Sequence, residues 1–213
     1  MKRFKKIEIS VAIALVISVI VSVSGFAAGC RDIRSSAVRL HILANSDSEA
    51  DQAVKLLVRD ALLDCGSELF DGSTDTFLVE KRLENDKEKL ISVAEKVLRE
   101  NGFDYGADII LINEYFSTRE YEGFTMPAGR YLALRVILGK GEGHNWWCVM
   151  FPPLCLPAAS QDVDLEVYFG SNGATIARSK PKYEIRFKIV DIIESIKKSS
   201  AIELLYIEIN FSF

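Results

Sequence analysis

The sequence predicts an α+β fold: an N-terminal signal or transmembrane segment, then one domain with helices packed on one face of a mostly antiparallel sheet. Three observations carry this reading. The chain opens with basic residues followed by an uncharged run from Ile9 to Cys30. An alternating strand pattern at residues 38–43 is followed by two long stretches with helical periodicity. Three β-prone runs then come in succession, punctuated by Gly and Pro. A strand, two helices and then a group of strands is the order of an α+β layer structure. At 213 residues, the chain is long enough for one globular domain with a real core but not for two full domains.

The first segment reads as an export signal. Lys2, Arg3, Lys5 and Lys6 against Glu8 give the first eight residues +3, leaving −7 for the rest of a chain whose net charge is −4. A basic start, an apolar middle and small residues at Gly25-Phe26-Ala27 and Ala27-Ala28-Gly29 match the layout of a secretory signal. The uncharged length also reaches the roughly 20 residues that span a bilayer. Residues 1–30 are therefore a signal peptide or a membrane anchor, with the basic end in the cytoplasm. Ala28-Gly29-Cys30 resembles a lipoprotein site except at Ala27, where Leu or Val is usual. Either outcome places the remainder outside the cytoplasm. That remainder divides into a domain over residues 31–198 and a C-terminal extension over 199–213.

In the body, Val38, Leu40 and Ile42 alternate with Arg39, His41 and Leu43, which predicts a strand ending at Asn45-Ser46-Asp47-Ser48. Ser46 and Glu49 have capping-box spacing. The helix that follows carries a stripe of Ala50, Ala53, Val54, Leu57, Val58, Ala61 and Leu62 and is expected to stop at Gly66. After the Asp71-Gly72-Ser73 turn, a second helix is expected from about Asp75 to about Glu100, with Leu83, Leu90, Ile91, Ala94, Val97 and Leu98 inward. Strands are expected at Asp108–Phe116, Arg130–Leu138 and Asn145–Met150. The last two would form a hairpin through Gly139-Lys140-Gly141-Glu142-Gly143. Residues 156–182 read as looser and polar, with a break at Gly170–Gly173. Tyr183–Lys198 reads as a closing helix with Ile185, Ile189, Ile192, Ile193 and Ile196 on one face.

The chemistry is sparse. An acidic body without a basic run argues against nucleic acid as a partner. The glycine-rich 139–143 loop precedes a strand, whereas a phosphate-binding loop must open a helix. Cys148 with His41 or His144 supplies the atoms of a thiol nucleophile and base, so an exported cysteine-dependent hydrolase is an alternative; no nucleophile signature surrounds Cys148. The same two histidines with Cys148 and Cys155 count to four zinc ligands, but Cys-x6-Cys is not a usual zinc spacing. No catalytic constellation, metal site, cofactor or small-molecule substrate is expected. An exported domain permits a disulfide, and Cys148–Cys155 is the local candidate pair. His41 is expected to bond to the 45–48 turn. Alternation places one ring of Trp146-Trp147 in the core and the other on the opposite face.

Three segments together carry a resemblance: HILANSDSEADQAVKLLVRDALL, MPAGRYLALRVILGKGEGHNWWCVMFPPLC and YEIRFKIVDII. In this order and spacing they resemble the stage II sporulation protein R family of endospore-forming bacteria. The resemblance implies a protein made in the forespore and exported into the space between the two membranes. There it would act as a signal and not as an enzyme, activating a membrane-embedded aspartic protease that processes the mother-cell sigma factor precursor. It also singles out His41, Asn45, Asp47, Gly143, His144, Asn145, Trp146 and Trp147 as receptor contacts, polar or aromatic residues at strand ends where binding surfaces collect. A membrane-anchored structural protein of the sporulation septum is a further alternative.

Overall fold

The computed structural model describes residues 2–70, 73–121, 123–155, 163–178 and, within 188–196, residues 188, 190–192 and 194–196. The chain begins with one helix, α1 (Lys2–Ser35). β1 (Val38–Leu43) leads to α2 (Glu49–Phe70), α3 (Thr76–Asn85) and α4 (Lys87–Glu100). Then come β2 (Ala107–Phe116), a small pair β3 (Arg119–Tyr121) and β4 (Phe124–Met126), β5 (Gly129–Leu138), β6 (Asn145–Phe151) and α5 (Leu165–Arg178).

The main sheet has the order β2-β5-β1-β6. β2 is antiparallel to β5, β5 is parallel to β1, and β1 is antiparallel to β6. This overturns the expected β5–β6 hairpin. β1, formed first in the chain, is inserted between the two later strands. The glycine-rich loop must therefore cross about twice the 4.8 Å strand spacing, over the end of β1. Its hydrogen bonds show this crossing: Gly143 N donates to Ala44 O at 2.9 Å and Glu142 N to Asn45 O at 3.2 Å. A Cβ at Gly143 would collide with the Ser46 carbonyl, so the loop can lie this close to β1 only with glycine there.

Each face of the sheet carries its own core. Val38, Leu40 and Ile42 of β1 join Leu134, Val136, Cys148 and Met150 under α2, α3 and α4, with Val58, Leu62, Leu83, Leu90 and Leu98 buried among them. On the second face, Tyr131, Ala133 and Val149 pack with Phe26, Cys30 and Ile33 of α1 and with Phe169 and Ile176 of α5. The α2–α4 layer is thus the expected helical face, and the end of α1 with α5 covers part of the other.

Several boundaries move for local reasons. The cap of α2 is Ser48, whose hydroxyl accepts from Asp51 N at 3.1 Å; Ser46 instead donates to the Asp51 carboxylate at 2.5 Å. That tie draws Asp51 and Lys55 inward and rotates the buried stripe, so Ala50, Ala53 and Leu57 lie outside it. α2 runs past Gly66, which is buried against Met150. The expected 75–100 helix divides at Asp86, whose backbone leaves helical geometry (φ −96°, ψ 12°) while its N–H closes α3 on the Arg82 carbonyl. α5 replaces the expected loose segment. Its break survives as a kink at Gly170, whose φ of 66° suits a residue without Cβ. The Asp71-Gly72 turn and residues 199–213 lie outside the described residues, as does most of the 183–198 helix. In the described part of that helix, Val190 packs on the second core, whereas Ile192 and Ile196 are exposed.

Candidate functional site

Among the described residues, α1, α5 and Val190 cover only part of the second sheet face. The residues of the remaining part, the open face, follow from strand alternation. Arg135, His41 and Trp147 stand in one row across β5, β1 and β6, with Ile110 of β2 completing it. Glu114 reaches this row from four residues further along β2, on the same face. His41 Nδ1 donates to Glu114 Oε2 at 3.0 Å, and Arg135 grips the same carboxylate with Nη2 on Oε1 and Nε on Oε2. His41 Nε2 lies 2.9 Å from Asn145 Oδ1. The Trp147 ring stacks on the imidazole at 3.7 Å and meets Phe116 edge-on at 5.0 Å. Burial opposes ionisation of Glu114, but the hydrogen bonds from Arg135 and His41 outweigh it and hold the carboxyl below its ordinary value. Ile110, Leu43 and Ile137 are half-buried around the network, and Ile112 and Asn145 are exposed. The result is a partly apolar surface with a fixed polar centre.

Beside this face lies a cluster at the strand ends. Asn45 accepts from Lys140 N through Oδ1 at 3.0 Å and donates to Asp51 Oδ2 at 3.0 Å. Asp47 accepts from His144 N at 2.6 Å and from the His144 imidazole. Lys55 reaches from α2 to donate to the His144 carbonyl at 3.0 Å, and burial pulls its ammonium below the usual lysine value. Asp51 receives Ser46, Asn45 and the Tyr105 hydroxyl, the last at 2.5 Å. Burial works against its ionisation, yet these donors keep its carboxyl low. The loops carrying Asn45, Asp47, Gly143 and His144 are therefore welded to each other and to the start of α2.

The sequence-selected residues thus fall into three groups. His41, Asn145 and Trp147 meet on the open face. Asn45, Asp47, Gly143 and His144 meet at the strand ends. Trp146 stands apart, on the α2 side of the sheet, where it packs on the first core under the Arg59 guanidinium at 4.5 Å. His41 does not bond to the 45–48 turn as expected; alternation turns it into the Glu114 network instead. Glu114, Arg135, Asp51 and Lys55 were not among the selected residues. Ser48-x-x-Asp51, a helix-capping spacing, was the one local sign of any of them.

Arg39, also on the second face, is fully buried. It donates to the Cys148 carbonyl at 2.9 Å and to the Tyr121 hydroxyl at 2.6 Å, and lies 4.4 Å from the Phe116 ring centre. Cys148 points the other way, into the α2 layer, and is bonded to Cys155 with the Cα atoms 5.9 Å apart. The sheet therefore separates Cys148 from His41, and the two cannot work as nucleophile and base or share a metal. Among the described residues, no group of His, Cys, Asp or Glu is arranged to hold a metal ion.

A family model described as stage II sporulation protein R matches residues 34–161. The chain belongs to the stage II sporulation protein R family. The matched region runs from the last turn of α1 through all six strands, so both the open face and the strand-end cluster lie inside it. Stage II sporulation protein R of Bacillus subtilis strain 168 is 36% identical over 126 residues, which are 58% of this chain and 55% of that protein. The chain thus spans about half the length of the curated relative it matches. No solved structure matches. Family membership gives the chain a role in sporulation, and α1 has the length and apolarity of a signal or membrane anchor.

Proposed function

We propose that the protein is an exported sporulation signal. It leaves the forespore by its N-terminal segment and activates a membrane-embedded aspartic protease that processes the mother-cell sigma factor precursor. The observation that carries the reading is a family domain joined directly to a helix of membrane-crossing length. The chain's task is then to bind. A signal that binds the active arrangement of the protease more tightly than the resting one shifts its population. A near-complete switch needs about 5.5 kcal/mol of difference.

The receptor surface in this reading is the open sheet face with the adjoining strand ends. Trp147, Ile112, Ile137 and Leu43 offer apolar area, and Asn145, Asp47 and His144 line its border. The hydrogen-bonded loops and the Glu114 network hold these groups in place before binding, which lowers the entropy lost on docking. The test is co-expression with the protease and its precursor substrate in a non-sporulating host. Processing should depend on this chain and should be lost in Asn145→Ala and Ile112→Glu at unchanged level and export. Processing without the chain would remove the role. Processing that persists in both variants would remove the surface.

A further inference from the structure

We infer that α1 stays attached in the working protein, as a membrane anchor whose last turns belong to the core of the exported domain. The helix has two distinct parts. From Ile7 to Val23 its large apolar side chains are 48–63% exposed, far more than a soluble domain leaves to water on one element. From Phe26 onward it is core: Phe26 is 6% exposed, and Cys30 and Ile33 are fully buried. The 34 residues form one unbroken helix of roughly 50 Å, so there is no hinge between the two parts.

The junction falls where a peptidase would cut. The Gly25 carbonyl accepts from Asn172 Nδ2 of α5 at 2.9 Å. A Cβ at Gly29 would collide with Ile176, and one at Gly173 would lie 3.3 Å from Ile33, so α1 and α5 approach almost backbone to backbone. Cleavage behind Ala27 or Gly29 would delete Phe26, break the Asn172 bond and set a new ammonium beside or on the buried Cys30. An unpaired charge at such a place is costly.

The next charged residues suit a lipid surface. Arg31, Arg34 and Arg130 line an open cavity of about 450 Å³ that Phe77, 58% exposed, also borders. The exposed uncharged run from Ile9 to Gly25 is roughly 26 Å long as a helix, which a slightly thinned bilayer matches, so the domain whose core starts at Phe26 sits directly on the outer surface. Arg31, less than two turns beyond, is within reach of the headgroups. The occupant of the exposed part of α1 is therefore the bilayer itself. The basic end lies in the compartment that made the protein, and the domain is held against the outer surface. This arrangement concerns the part of α1 that precedes the family match, which begins at residue 34. It does not depend on which receptor the domain meets.

The test is the intact mass of the exported full chain, with extraction of its membranes at alkaline pH. The expected product has the uncleaved mass, 23.8 kDa, and stays in the membrane pellet. A soluble product beginning between Ala27 and Arg31 would overturn the inference. In detergent, Gly29→Leu should make residues 25–30 at least tenfold more susceptible to added protease than the wild type. Equal rates would show that these turns are not docked, and would overturn it as well. If Gly29→Leu does not fold, the wild-type mass decides alone.

Discussion

Glu114→Gln removes the one negative charge in the open-face network while keeping its shape. The carboxylate serves two cationic or polar donors at once, Arg135 through both oxygens and His41 through one. Its side chain is 13% exposed, that of His41 5% and that of Arg135 28%. A hydrogen bond to a charged group contributes about 1.5–3 kcal/mol when its loss leaves a buried partner unsatisfied. Gln keeps one acceptor oxygen, and Arg135 keeps some water, so the expected net cost at neutral pH is about 2 kcal/mol. For a protein of this size that corresponds to a drop in Tm of about 4–8 °C. The loss has a defined pH dependence. Burial raises the Glu114 pKa, but the Arg135 and His41 hydrogen bonds bring it below the ordinary glutamate value in the folded state. A carboxylate with a depressed folded pKa stabilises fully above its unfolded pKa and loses that contribution as pH falls through the folded value. The gap between wild type and variant should therefore be full at pH 7 and close in acid. Urea unfolding of the full chain in detergent, followed by tryptophan fluorescence, reads both. Equal midpoints at pH 7, or a gap of the same size at pH 7 and pH 3, would refute the assignment of Glu114 as an ionised clamp.

Three further outcomes are expected. Asp51→Ala removes the acceptor of Ser46, Asn45 and Tyr105 together and should cost about 3 kcal/mol in thermal unfolding; a loss below about 1 kcal/mol would mean that the strand-end loops do not depend on it. A maleimide probe added to the unfolded, unreduced exported protein should label Cys30 and Cys65 only, with Cys148 and Cys155 joining after reduction; four labelled thiols without a reductant would contradict the bond. Gly66→Ala sets a Cβ 2.6 Å from the Met150 methyl, the movable end of a flexible side chain, while Ala gains about 1 kcal/mol of helix propensity, so the denaturation midpoint should shift by less than about 1 kcal/mol at unchanged m. A loss above about 2 kcal/mol would show that Met150 is held rigidly there.

Much of the local structure is legible in the sequence because it depends on short-range patterns. β1, β2, β5 and β6 all lie within a residue of the alternating runs that announce them. The opposite placement of Trp146 and Trp147 follows from pleating alone. β3 and β4 were not anticipated. Three-residue strands are too short to show a period, and they form where Tyr121, stacked on Phe124, bonds the buried Arg39. Of the site, the sequence identifies residues at strand ends but not their partners. Glu114 and Arg135 look like ordinary surface charges until β5 is set beside β1, 94 positions apart at the Arg135–His41 pair.

What the residues determine on their own is whatever a segment can decide without the rest of the chain. That includes a basic, apolar opening fit for a bilayer, the period of each strand and helix, and the motifs of a sporulation family. What only the tertiary structure decides is order in space. β1 enters between β5 and β6, and that one insertion turns a presumed hairpin loop into a crossing. It parts Cys148 from His41, and it gathers Glu114, Arg135, His41 and Trp147 on one face. The end of α1 becomes core for the same reason. Strand order and helix docking are chosen by which apolar faces can be buried together, a long-range balance that no window of neighbouring residues contains.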